Sequence, residues 1–195
     1  MNLPEIPRLD EYLALLRKRL PEKKVRHCLS VAECLVSFAP GLGLPTESAV
    51  TVGVLHDICR AWDNDKMLRK AQQYGLPISA SERDKPNVLH GPVAAEQCRR
   101  KLGIDDPDIY EAIYWHTTGR PGLNLLGQAL YCADFAEPLR SNGEAERARA
   151  LLETGDFDAA LRHVARAKIA FFAKKGVDTA LSERFCRWVE EGRPA

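Results

Sequence analysis

Apolar positions recur three and four residues apart along almost the whole chain, the period of an amphipathic helix. Tyr12, Leu13, Leu16 and Leu20 set one such stripe and predict a helix over residues 9–20. Pro21 suits the first turn of the next helix, which runs to about Ala39. In it Val25, Leu29, Ala32 and Val36 form one stripe, and His27, Val31, Cys34 and Phe38 form another. A helix apolar on two sides belongs at the centre of a fold. Residues 47–59 follow, with Thr46 as N-cap. The β-branched run from Ala49 to Leu55 resembles a strand locally, but its length, its cap and its helical neighbours decide for helix.

Caps and breakers mark the remaining elements. Asp63 or Asn64 caps a helix that ends near Gly75, residues 77–87 are polar and read as a loop, and residues 92–102 are helical up to Gly103. Asp106 followed by Pro107 opens a helix reaching about His116. The segment from Thr117 to Gly122 is a turn by composition. Residues 123–137 are helical until Pro138, and two or three further helices are broken at Gly155 and at residues 176–178. The pattern predicts an all-α chain of about eight to ten helices without internal repeats. It forms one domain over residues 1–195, with a core at about 20–140 and C-terminal helices at 143–192 packed on it.

Composition narrows the function. At 195 residues the chain is one domain. Its 28 Lys and Arg against 27 Asp and Glu lack the basic excess of a duplex-DNA binder, yet leave room for a small anionic ligand. No apolar run reaches 18 residues, so no membrane partner is expected. The segment from Met1 to Pro7 has neither the basic nor the apolar region of a secretory signal, which points to the cytoplasm. Six cysteines, at 28, 34, 59, 98, 132 and 186, stand among apolar helical residues with no C-x-x-C pair. They read as reduced, buried thiols.

The candidate chemistry lies in the histidines. His27 sits in an apolar helix, His56-Asp57 is a doublet near a helix end, His90 precedes a helix and His116 follows one. Asp134 stands within the apolar run Leu130-Tyr131-Cys132-Ala133-Asp134-Phe135, where a carboxylate must be paired, hydrogen-bonded or bound to a metal. Imidazole nitrogen and carboxylate oxygen suit iron, zinc and manganese, and four histidines with two aspartates are enough donors for two ions. Blander readings stand beside this. A single histidine in an apolar helix is commonly a hydrogen-bonded core residue, a His-Asp dipeptide occurs by chance, and Asp134 can pair with an arginine. Thr117-Thr118-Gly119 can be a helix stop, with Arg120 in a surface pair. His163 lacks such neighbours and reads as surface or helix packing.

The order His, His-Asp, His, His, Asp on a helical scaffold resembles the HD-domain phosphohydrolase superfamily. Leu55-His56-Asp57-Ile58, Leu89-His90-Gly91-Pro92-Val93-Ala94, His116-Thr117-Thr118-Gly119-Arg120-Pro121-Gly122 and Tyr131-Cys132-Ala133-Asp134 resemble its YqeK-type branch of symmetric diadenosine-tetraphosphate hydrolases. The resemblance spans about residues 20–180 and implies a compact HD-type helical bundle. It implies that His27, His56, Asp57 and Asp134 hold one metal, that His90 and His116 hold a second, and that Asp57 bridges them. The ions it implies are two divalent transition metals, iron first and manganese or others next. Arg60 stands where the family usually has lysine, and Lys24, beside Arg26, where it usually has arginine; both keep a positive charge for phosphate.

Hydrolysis of a phosphoanhydride by this plan uses a water whose pKa a metal lowers toward about 7. Asp57, Arg60 and Arg120 are the expected catalytic residues. Lys24, Arg26, Arg60, Thr117, Thr118, Gly119 and Arg120 are the expected substrate contacts, with Arg120 forking onto phosphate oxygens. The leading expectation is cleavage of diadenosine tetraphosphate into two ADP. Alternatives are another HD activity, such as a nucleotidase or guanosine-alarmone hydrolase, and a non-catalytic nucleotide-binding module. The last helices carry apolar residues that can serve a homodimer.

Overall fold

Two helices that are apolar on more than one side set the centre of the molecule. α2 (Glu22–Phe38) buries Val25, Cys28, Val31, Ala32 and Leu35, and α3 (Thr46–Leu55) buries every residue from Ala49 to Leu55. The β-branched run of α3 therefore reflects burial on all sides and not the alternation of a strand. α2 and α3 make the most extensive helix contact in the computed structural model, which describes residues 3–193. Met1 and Asn2 of the N-terminal segment, and Pro194 and Ala195 of the domain span, lie outside the described residues. The two axes approach closely because Gly53 has no side chain: a Cβ there would stand 2.5 Å from Ala32 Cα.

α8 (Leu125–Ala136) packs on both α2 and α3, and only Leu125 and Asp134 along it escape full burial. α1 (Leu9–Arg19) covers α3 from another side. α6 (His90–Leu102) and α7 (Pro107–Trp115) pair with each other, and α7 closes on α3 and α8. α4 (Asn64–Gln73) lies on α6. Beyond α8, α9 (Gly143–Glu153) and α11 (Ala180–Glu190) pack on α10 (Phe157–Lys174), which itself lies on α8.

The architecture is all-helical as the pattern predicts, with eleven α-helices among the described residues instead of eight to ten. The added element is α5 (Ala80–Asp84), inside the stretch read as loop. Ser79 and Glu82 there form a reciprocal capping box, a signature present in the sequence but unaccompanied by an apolar stripe. α3 ends at Leu55 and not near Cys59, with Pro45 and not Thr46 at its N-cap. α6 starts at His90, two residues early, and α8 starts after Asn124, whose side chain accepts from Gly127 N–H. The caps at Asp63 and Asp106 stand where the sequence puts them. All six cysteines are free, and Cys34 is only half-buried. No described helix is long and apolar enough to cross a membrane.

Adding one methyl group at Gly53 forces α2 and α3 apart. Gly53→Ala is expected to lower the unfolding free energy by about 1–3 kcal/mol. Urea denaturation reads this as a lower midpoint at unchanged slope. A loss below about 0.5 kcal/mol, the range of ordinary surface changes, would contradict the close approach.

Candidate metal centre

Five elements deliver the six candidate ligands to one place. His27 projects from the middle of α2, and Asp134 from the last turn of α8. His56 is the residue that ends α3, after which the chain tightens into turns, with Ile58 N–H bonded to Leu55 O and Arg60 N–H to Asp57 O. Asp57 thus sits in a turn and not on a helix. His90 is the first residue of α6 and His116 ends α7. His56, Asp57, His90 and His116 are all buried, His56 completely so.

One device orients three of the rings. Nδ1 of His56 lies 2.8 Å from Gly53 O, Nδ1 of His90 lies 2.6 Å from Asn87 O, and Nδ1 of His116 lies 2.7 Å from Ile113 O. In each the acceptor is three residues earlier, and in α3 and α7 it is one of the last-turn carbonyls that a helix end leaves open. For His27 the partner is a carboxylate, with Nδ1 3.1 Å from Glu137 Oε1. For His56, His90 and His116 the carbonyl at Nδ1 takes the proton there and leaves Nε2 as a lone pair.

Those lone pairs converge. His90 Nε2 and His116 Nε2 are 3.0 Å apart, and Asp57 Oδ1 lies 3.1 and 3.7 Å from them. His27 Nε2 lies 3.3 Å from Asp134 Oδ1, and His56 Nε2 is 4.0 Å from the same oxygen. His56 Nε2 is buried with no hydrogen-bond partner at all. Acceptors facing acceptors repel unless a cation or a shared proton lies between them. Two groups have ligand atoms all within 4.8 Å of one another: His27, His56 and Asp57, and Asp57, His90 and His116. The donors, their geometry and the orphaned Nε2 fit divalent transition metals, with Asp57 shared between the groups.

The electrostatics of the cluster agree with a neutral His56, whose burial pushes its imidazole down to about 3. Burial would raise Asp57, but the neighbouring His90 first, with His116 and His56, holds it well below the usual carboxylate range. Asp134 is likewise held low against its burial, by Lys168 and Arg140 first. His27 is the exception: burial lowers it, yet Asp134 and Glu137 outweigh this and raise it to about 9.

His27, Asp57, His90, His116 and Asp134, though not His56, line a cavity of about 660 Å³, whose walls also carry Lys24, Arg60, Arg140, Arg166, Lys168 and Lys174. Lys24 Nζ is 3.6 Å and Arg60 Nε 4.0 Å from Asp57 Oδ2. Thr117 also lines the cavity, its hydroxyl 3.1 Å from His90 Nε2. The rest of the expected substrate set does not meet there. Arg120 turns away to pair with Glu111 and to donate to Pro121 O, which is the surface-pair reading of that turn. Gly119, at φ +67°, is a packing residue, since a Cβ there would enter the Phe185 ring. Thr118 lines a neighbouring pocket, and Arg26 lines another beside Glu22 and Arg140.

Sequence reasoning missed three supports. Glu137, at the end of the Asp134 run, accepts from His27, Ser30 and Leu139. Lys168 is buried, donating to Asp134 Oδ2 at 3.2 Å and to His116 O at 2.9 Å. Its signal was a lysine on the buried stripe Leu161, Val164, Ala165, Lys168. Arg140 donates to Asp134 Oδ1 at 3.0 Å. His163, read as surface or packing, lines the cavity wall, with Nε2 2.9 Å from Glu144 O.

Comparison with known proteins places this geometry. The family model of the HD domain matches residues 25–155. The symmetrical bis(5'-nucleosyl)-tetraphosphatase of Bacillus subtilis (strain 168) is 30% identical over 85% of this chain and 88% of its own. The protein of the same description from Staphylococcus aureus (strain NCTC 8325 / PS 47) is 30% identical over 87% of each. A crystal structure from Clostridium acetobutylicum, described as a predicted HD superfamily hydrolase involved in NAD metabolism, superposes with a TM-score of 0.87 at 27% identity. It covers 94% of this chain and 97% of that one.

Lys168→Met keeps the volume of the side chain but leaves Asp134 short of one buried cation. Removing one partner of a buried pair costs about 3–5 kcal/mol, and the lower end is expected because Arg140 and His27 remain. Urea unfolding of metal-free protein measures it. A loss under about 1 kcal/mol would mean that Lys168 does not hold Asp134.

Proposed function

Because the chain belongs to the HD domain family, we propose that it is a metal-dependent hydrolase that splits diadenosine tetraphosphate into two ADP. The observation that carries this reading is the convergence of four histidine Nε2 atoms and two carboxylates beside a cavity lined by six cations. The names of the Bacillus and Staphylococcus relatives support the substrate.

In this reading His27, His56, Asp57 and Asp134 would hold one ion, and His90 and His116 would hold a second, with Asp57 a ligand available to either. Iron is the ion that the family resemblance implies first, and these donors suit manganese or another divalent transition metal as well. Bound there, such ions lower the pKa of a water toward about 7 and offset phosphate charge. The chain's own residues do the rest. The Nδ1 anchors keep the rings from turning, so the ligand atoms need no reorganisation when substrate arrives. Lys24 and Arg60, close to Asp57, contact phosphate oxygens on that side, and the Thr117 hydroxyl donates from the other. Arg60 is thereby the arginine assigned to phosphate, and Arg120 is not.

Symmetric cleavage follows from where the phosphate chain lies. An inner phosphorus must sit over the cluster with ADP as the leaving group, and an outer phosphorus there would release AMP and ATP. ADP is a stable anion near neutral pH, so its departure needs charge neutralisation by the cationic wall more than a proton. The reading includes a cytoplasmic protein with neither duplex nucleic acid nor membrane as partner. It includes a homodimer through the last helices.

Chromatography of the earliest products from metal-replete protein and diadenosine tetraphosphate is expected to show ADP alone. Equal ATP and AMP would overturn the symmetric assignment, and turnover of a mononucleotide or guanosine alarmone in its place would favour the other HD activities. Asp57→Ala is expected to drop turnover to background, and near-normal turnover would contradict a shared ligand. Arg120→Ala should keep turnover and lose only about 0.2–1 kcal/mol of stability, the range of an exposed ion pair.

A further inference from the structure

Phe171 is the most exposed large apolar side chain among the described residues, at 53%, and it lines the cavity that holds the histidine cluster. Its ring meets the edge of Phe172 at 5.8 Å between centroids, and Lys175 Nζ lies 5.9 Å from its centre. An aromatic ring left half in water in the lining of a charged cavity contributes only part of its apolar area to the fold.

Its surroundings on α10 are specific. His163, Ala167, Ala170, Phe171 and Lys174 all line the cavity, at spacings that share one helix face. Ala167 and Ala170 put only methyl groups on that face between His163 and Phe171, so no large side chain from these two positions covers the ring. The face is in fixed register with the metal cluster, because Lys168 of the same helix donates to Asp134 and to His116 O. All of it lies beyond residues 25–155, the span that the HD model matches.

We propose that this face of α10 is a nucleoside subsite, with Phe171 as the platform on which one adenine of the substrate stacks. The inference rests on the nucleotide-hydrolase reading and adds the element that recognises the base. A flat aromatic face binds any base by stacking, and the cations around it take the adjoining phosphates. Phosphate recognition then belongs to the HD core, and base recognition to the helices that follow it. Phe171 in this account sets affinity for the nucleoside over bare phosphate and takes no part in the bond cleavage.

Titration calorimetry of metal-loaded protein with ADP and with inorganic diphosphate separates the two contributions. Phe171→Ala is expected to weaken ADP about tenfold while diphosphate affinity stays within about twofold, and Phe171→Trp is expected to restore ADP. Equal weakening of both ligands would overturn the subsite, and so would unchanged ADP binding. A change from dimer to monomer in sedimentation, with ADP affinity intact, would make Phe171 an interface residue and also overturn it. Product analysis of hydrolysis is independent of this affinity ratio, so the subsite and the hydrolase reading fail separately.

Discussion

Four imidazole rings in the core each give up one N–H, to Gly53, Asn87 and Ile113 carbonyls and to the Glu137 carboxylate. Their opposite nitrogens are then forced to face one another and the oxygens of Asp57 and Asp134 across about 3–4 Å. Asp134 is supplied with donors by Lys168, Arg140 and His27, whereas the Nε2 atoms of His56, His90 and His116 face acceptors without a proton to donate. The arrangement is stable as a set of ligands, and the rest of the fold keeps it closed. The cost of aiming bare lone pairs at each other is offset when a cation binds, so metal affinity and fold stability are linked.

Helix packing sets the distances. The contact at Gly53 brings α3 onto α2, which places His56 beside His27 with ring centroids 5.5 Å apart. The end of α7 carries His116 to within 5.0 Å of the His56 ring. Helix termini suit this role, since their last carbonyls need donors and a histidine three residues on can supply one. Around the chain segment after α8, Arg149 donates to the carbonyls of Ala136, Glu137 and Arg140. That clamp keeps Glu137 on His27 and Arg140 on Asp134. α10 then adds Lys168, whose hydrogen bonds to His116 O and Asp134 tie the outer wall of the cavity to the histidine cluster.

Much of this was legible in the sequence. Stripes at helical spacing gave the helices, and Asp63, Asp106 and Gly103 gave their ends, because caps act locally. The six ligand types were legible too, and the structure brings them together. The direction of Arg120 was not, because Glu111 lies nine residues earlier on another element and only the fold makes them neighbours. Gly119 was legible as a turn glycine but not as the space that Phe185 fills. Glu137 and Lys168 were hidden for a related reason. A buried charge is recognised by its partner, and those partners stand 110 and 34 residues away.

The central claim is that the converging Nε2 atoms and Asp57 are one dinuclear site. The most direct test is a crystal structure of metal-loaded protein with anomalous scattering recorded at the metal edge. The account predicts two peaks per chain, about 3.5–4 Å apart, with histidine ligation through Nε2 and Asp57 touching both. A single ion not bound to Asp57, ligation through Nδ1, or ions held only at surface residues would contradict it.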